Sequence, residues 1–263
     1  MKTSLILTIN NRSPQVSRLV AESFALPGNE VDETIVVLDR VDLATKGGAE
    51  AAYTSLKCPV RFVETRGLPG WRGPAMAWNI GFAAAQGDLL YCISSEVVQN
   101  AGNVETARAL AADFKTVVFG ACHNSTPVNL VVGAEPGLLV SSKMPRPLGF
   151  IACLPRWAVK RVGGFDEAFM GTDEAPGYWY DDDDFYLRLW QTGLDFLFDD
   201  SIHGIHLDHP RPILDTPLGQ AGIARNASLM MEKHHTAHPW PNLPKIVEHG
   251  EKRLRWKNPK PCA

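Results

Sequence analysis

Four short apolar runs, SLILTIN (4–10), ETIVVL (33–38), VRFVE (60–64) and DLLYCI (88–93), stand in the first part of the chain with helix-forming stretches between them. A helix is expected from Pro14 to Leu26, with proline in its first turn and Pro-Gly at its end. The small-residue stretch AMAWNIGFAAAQG, closed by Gly87, and NVETARALAADF (103–114) read as two more. β-Branched runs this short, spaced by helices, join as parallel strands through crossovers. The expected fold is therefore α/β, a mostly parallel, Rossmann-like sheet with helices on both faces.

Ligands of such sheets bind beyond the carboxyl ends of the strands. Polar residues collect there: Asn10-Asn11-Arg12 after the first strand, Asp39 after the second, and Ser94-Ser95-Glu96 after the fourth. Three strands delivering polar groups to one rim predict a binding cleft. The second half is less regular. TVVFGAC, VNLVVG and GLLVSS read as short strands, and GFIACLPRWAVKRVGGFDEAF leads into an acidic segment. From Pro210 the pattern loosens into an extension, 210–263, with one helix near Ile223 to Lys233. Its end, rich in Lys and Arg, reads as a solvated tail or a subunit contact, with peripheral membrane contact through the basic residues as the other possibility.

The 263 residues are 45% hydrophobic and 21% charged with net charge −3, which suits one large domain with an extension and gives no reason to expect nucleic acid. No apolar run approaches the roughly 18 residues of a membrane span. The stretch MKTSLILTIN is too short in its apolar part for a secretory signal and reads as a strand. Five scattered cysteines, with no C-x-x-C pair, read as reduced residues of a cytoplasmic protein, and Cys58, Cys92, Cys122 and Cys153 as small buried hydrophobes.

The stretch YWYDDDDFYLRLWQTG (178–193) carries four successive aspartates. Neighbouring carboxylates about 5 Å apart repel by about 3 kcal/mol at an effective dielectric near 20, so something must offset the charge. Phe185 with Leu189, and Tyr186 with Trp190, are i,i+4 pairs, and Gly193 suits the position just past a helix end. The aspartates then fall at a helix N-terminus, where free N–H groups and the dipole favour negative charge. Successive positions point in different directions, so one or two can face a cleft while the others cap the helix. A carboxylate against an apolar wall has a raised pKa and suits a general base.

In these residues the chain resembles glycosyltransferase family 2, nucleotide-sugar enzymes of the GT-A fold. SLILTINNR is similar to the family's opening strand, ETIVVLDRVD to its second, and GPAMAWNIGFAAAQGDLLYCISSE to the helix and strand before its metal site. GGFDEAF followed by WYDDDDFYLRLWQTG resembles the family's acidic helix start, the most specific of the matches. The resemblance implies a domain over 1–209, with a nucleotide-binding half (1–100) and an acceptor half (101–209). It implies an inverting transfer from a nucleotide-diphosphate sugar, a UDP-sugar in the first instance, to a hydroxyl of a glycan or lipid-linked acceptor. Asp182 takes the place of the catalytic base and Asp181 that of an acceptor contact. Trp179 belongs to the acceptor or sugar wall, unless it is core. Asp184 shares that wall or orders the helix start with Arg188. Asn11, Arg12, Asp39, Asn79 and Ser94 fall at nucleotide-binding positions.

The departure is at the fourth strand, where the family's Asp-x-Asp is replaced by Ser94-Ser95-Glu96. Glu96 keeps one ligand for Mn²⁺ or Mg²⁺. In SIHGIHLDHP the family pattern points to His206, with His209 second, as a further ligand. No G-x-G-x-x-G follows the first strand and no phosphate-binding G-x-x-x-x-G-K-[ST] is present, which excludes the usual dinucleotide and NTP sites. The competing reading is a non-catalytic nucleotide-sugar or glycan-binding protein whose altered strand end no longer supports turnover.

Overall fold

The parallel half of the sheet follows the expected order. The computed structural model describes residues 1–10, 12–65, 73–126, 137–209 and 214–260. Strands β1 (Thr3–Ile9), β2 (Glu33–Leu38), β3 (Val60–Glu64) and β4 (Leu89–Ile93) alternate with helices α1 (Pro14–Phe24), α2 (Leu43–Tyr53) and α3 (Ala75–Ala84). Local chemistry starts the first two helices: the Ser13 side chain accepts from Val16 N with Pro14 in the first turn, and Asp42 accepts from Thr45 N. The β1 register, Ile6 beside Ile35 and beside Cys92, runs parallel to β2 on one side and β4 on the other. The chain thus leaves β1 in opposite directions across the sheet, a topological switch point at the β1/β4 boundary. Helix α3 lies against β1 and β2 through Gly81, where a Cβ would come within 2.5 Å of Ile6 Cγ2.

Beyond β4 the sheet is mixed. The later elements are β5 (Val97–Gln99), α4 (Asn103–Leu110), β6 (Thr116–Asn124), β7 (Leu138–Val140), β8 (Ile151–Pro155), α5 (Arg156–Val162), α6 (Asp181–Gln191) and β9 (Asp195–His206). Strand β8 inserts antiparallel between β4 and β6, while β9 returns parallel to β6. The long path reads β10-β11-β9-β6-β8-β4-β1-β2-β3, where β10 is Ile246–His249 and β11 is Arg253–Lys257. VNLVVG lies outside the described residues.

The C-terminal stretch differs from the solvated tail expected. Helix α7 (Pro217–His234) is longer than the sequence pattern suggests, and β11 pairs antiparallel with β9. Leu254 and Trp256 are buried in the core, with Trp256 edge-on to Phe198 at 4.9 Å. Alternation explains the miss: in RLRWK only every second residue is apolar, so a strand buried on one face resembles a charged tail in sequence. Cys92, Cys122 and Cys153 are buried and free, as expected, while Cys58 is partly exposed. No helix among the described residues is long and apolar enough to cross a membrane.

Candidate active site

Two cavities adjoin above the switch point, and both are lined by Pro74, Trp78 and Ser94. The first, about 190 Å³, is bounded by Asn10, Arg12, Asp39 and Glu96 from the ends of β1, β2 and β4. The second, about 130 Å³, is walled by Phe82, Phe150, Phe165 and Phe185, with Asp181 and Asp182 at its edge. One cavity is polar and carries the strand-end residues; the other is apolar and carries the carboxylates. Asn11 lies outside the described residues.

In the polar cavity, Asp39 is buried and accepts from Thr65 Oγ1 at 2.8 Å and from Arg40 Nε and Nη2 at 2.9 and 2.8 Å. Glu96 is the centre of a charged cluster. Arg12 Nε donates to its Oε1 at 2.5 Å, Arg12 Nη2 bonds the same oxygen, and Ser95 Oγ donates to Oε2 at 3.1 Å. His209 Nε2 is 3.4 Å from Oε1. Burial alone would raise the Glu96 pKa, but Arg12, His206 and His209 outweigh it and hold the carboxylate below its usual range.

Ligand atoms of Glu96, His206 and His209 all lie within 4.8 Å of one another, so three residues from two chain segments converge on one point. His206 Nδ1 is 2.9 Å from Asn124 Oδ1, which makes Nδ1 the protonated nitrogen and leaves Nε2 as the donor of a lone pair. One carboxylate and two imidazoles form a mixed O/N donor set that fits a divalent transition ion such as Mn²⁺ better than Mg²⁺, which prefers oxygen alone. His203 is separate: its Nε2 is 2.9 Å from His123 Nδ1 on β6. Strand alternation opposes His203 to His206, and His209 joins His206 because the strand has ended before it.

The acidic run opens α6, as the i,i+4 pairs predict, and its four carboxylates are treated differently. Asp182 receives the Gly149 N–H, yet burial and then the charges of Asp181 and Asp183 raise its pKa well above the ordinary value. Asp181 is raised by the same burial. Asp183 Oδ1 accepts from Trp240 Nε1 at 2.5 Å. Asp184 is fully buried and faces away from the cavities. Its oxygens meet Arg188 Nε at 2.8 Å, Lys233 Nζ at 2.7 Å and His234 Nε2 at 2.8 Å. It therefore does not belong to the acceptor wall. It orders the helix start with Arg188.

Two more expectations change. Asn79 does not line the polar cavity. Its side chain donates to Phe165 O at 2.9 Å and accepts from Phe165 N at 2.8 Å, holding the loop in which Gly164 has φ 78°. A Cβ on Gly164 would run into Asn79 Oδ1, so the second glycine of GGFDEAF is dictated by this clamp, while the first, Gly163, is the left-handed C-cap of α5. Trp179 is 58% exposed, which removes the core role, and it lines neither cavity.

Sequence reasoning missed the device that aims α6. Trp179 and Tyr180 have φ of 61° and 68°, two consecutive bulky residues in left-handed backbone. Such residues cost about 1–3 kcal/mol each and persist only when their surroundings over-determine them. Asn226 of α7, fully buried, does so: its Nδ2 donates to Phe169 O at 2.9 Å, Trp179 O at 3.0 Å and Tyr178 O at 3.3 Å. No local sequence signal pointed to it, because burial separates Asn226 from any other polar helix residue and burial is decided by the fold.

The sheet order and this double cavity define a GT-A type fold, the fold of nucleotide-sugar glycosyltransferases. Similar solved structures include GalNAc-T7 with UDP, GalNAc and Mn²⁺, at 13% identity and TM-score 0.60, covering 80% of this chain and 44% of that one. The mannosyltransferase PcManGT from Pyrobaculum calidifontis, with GDP-Man and Mn²⁺, is 15% identical with TM-score 0.62 over 89% of this chain and 65% of its own. S. aureus TarS with UDP is 18% identical with TM-score 0.59 over 92% and 74%. This chain thus spans under half of GalNAc-T7 and about two thirds of PcManGT. No protein-family profile and no curated protein sequence matches.

Proposed function

We propose that the chain is an inverting glycosyltransferase that moves a sugar from a nucleotide-diphosphate donor, a UDP-sugar in the first instance, to a hydroxyl of a glycan or lipid-linked acceptor. The observation that carries this reading is the adjacency of the two cavities across Pro74, Trp78 and Ser94. One offers Asp39, Arg12 and the Glu96–His206–His209 cluster; the other offers Asp182 against an apolar wall. A donor spanning both sets its nucleotide toward Asp39 and its anomeric carbon toward Asp182.

Asp182 takes the acceptor hydroxyl's proton as that oxygen forms a bond to the anomeric carbon. The bond from that carbon to the phosphate oxygen breaks, and the nucleoside diphosphate leaves with the electron pair. The raised pKa strengthens Asp182 as a base, and the Gly149 N–H orients its carboxylate. Asp181 contacts the acceptor. Glu96, His206 and His209 would hold a divalent ion, Mn²⁺ by donor chemistry, which supplies neutralisation of the diphosphate leaving group. Arg12, already on Glu96, contributes a fixed positive charge at the same place. The Mn²⁺ held by two structural neighbours, one with UDP and GalNAc and the other with GDP-Man, supports the reading.

The test is thermal shift with UDP, GDP, CDP and dTDP, each with Mn²⁺, with Mg²⁺ and with chelator. A shift from UDP that needs Mn²⁺ is expected, followed by UDP release from UDP-sugars. No shift from any nucleotide overturns the proposal in favour of a glycan-binding protein.

A further inference from the structure

A third cavity, about 440 Å³, lies on the other side of the α6 start and is assigned nothing by the reactions above. We infer that it is an acceptor subsite for a saccharide carrying an anionic group, phosphate or carboxylate. The inference rests on the glycosyltransferase reading for the word acceptor, but its geometry stands alone.

Position comes first. The cavity is lined by Asp183, the residue after the proposed base, and by the 145–148 segment. The next residue along the chain is Gly149, whose N–H binds Asp182. A saccharide seated here is thus one residue along α6 from the reacting hydroxyl. The volume falls within the roughly 300–1,000 Å³ of ligand clefts.

The wall suits a sugar ring, which has an apolar C–H face and a rim of hydroxyls. Trp240 and Trp256 have ring centroids 6.2 Å apart at 30°, and Trp256 is buried beneath, so the half-buried Trp240 supplies the open aromatic surface. Trp240 is fixed by its N–H bond to Asp183. Asp183 keeps acceptor capacity for sugar hydroxyls.

Charge names the substituent. Arg146 is exposed and forms no hydrogen bond or ion pair with any described residue, although its charge reaches Asp182 and Asp183. Lys245 Nζ lies 4.5 Å over the Trp256 ring and bonds the Trp240 carbonyl, with no carboxylate partner among the described residues. Burial lowers its pKa, the mark of a cation losing water without a counterion. His238 adds a third basic head at the same cavity. Against these stands one carboxylate, Asp183, so an anionic group is what completes the site.

The test uses saturation-transfer NMR titration of the full chain with glucose 6-phosphate, glucuronate, glucose and inorganic phosphate, repeated on Arg146→Ala, an exposed change that leaves the core intact. At least one anionic sugar should bind roughly tenfold tighter than glucose, and Arg146→Ala should remove most of that preference. Which of the two sugars wins names phosphate or carboxylate. Glucose binding as tightly as both, phosphate alone matching glucose 6-phosphate, or indifference to Arg146→Ala overturns the proposal. The Mn²⁺-dependent UDP shift, recorded on the same samples, reports separately on the transferase reading.

Discussion

Asp182 and Asp184 sit two residues apart in the first turn of α6, one facing a cavity and the other the body of the protein. Asp184 meets Arg188, Lys233 and His234; although burial opposes its charge, these partners outweigh it and its pKa is lowered. Asp182 has a backbone N–H and the distant charge of Arg146, while Asp181 and Asp183 repel it, and its pKa is raised. The chemistry of the side chain is identical, so the difference lies in what α7 supplies to one face and withholds from the other. Carboxylates of one run can thus end as a paired structural anion and as a buried acid with a raised pKa.

The largest expected effect tests the cavity side. Asp182→Asn should lower the turnover rate by roughly 10²–10⁴ while leaving the UDP thermal shift in place. Retained turnover would end the distinction drawn between the two faces. Next is the buried side. Asp184→Asn leaves Arg188, Lys233 and His234 without their shared anion and should cost about 3–5 kcal/mol in chemical denaturation. A loss under 1 kcal/mol would mean that the network contributes little.

Asn226→Ala removes the clamp on the left-handed Trp179–Tyr180 backbone and should cost about 1–3 kcal/mol, with kcat falling more than KM for the donor changes. Equal effects on both would show that Asn226 does not aim α6. The pH response sharpens the contrast further. A raised carboxylate pKa means that the folded state holds the proton longer than the unfolded one. Asp182 therefore costs stability as pH rises above the ordinary carboxylate range. Asp184 does the reverse: its contribution is complete above its unfolded pKa and is lost as pH falls through the lowered one. Asp182→Asn should thus melt higher than wild type at pH 8, the gap closing by about pH 4, and Asp184→Asn should show the larger deficit at pH 8. Smallest of all, Trp179→Ala should change stability by no more than about 0.5 kcal/mol, because the ring is exposed.

Much of the fold was legible because strand and helix signals are local. The runs SLILTIN and ETIVVL became β1 and β2, and Phe185/Leu189 with Tyr186/Trp190 marked α6. Glu96, His206 and His209 were legible through family resemblance and converge as expected. Asn79 and the wall role of Asp184 were misplaced. Residue type shows that an amide or a carboxylate will find partners, but not which loop or helix brings them. Arg146, Asn226 and Trp240 had no local pattern, since each acts across 30 or more residues of chain.

By itself, the sequence determined the alternation of strands and helices, the start of α6 at its aspartates and the polar rim at the strand ends. These follow from periodicity, capping and the handedness of crossovers, which act within a few residues. Tertiary structure alone decided which aspartate is neutralised and which is left to face a cavity. It also decided that the basic C-terminal stretch becomes a strand paired between β10 and β9, and an aromatic wall. Both outcomes depend on burial and on charges that meet only when α7 and β11 dock, and the energy of a charge is set by its surroundings more than by its place in the chain.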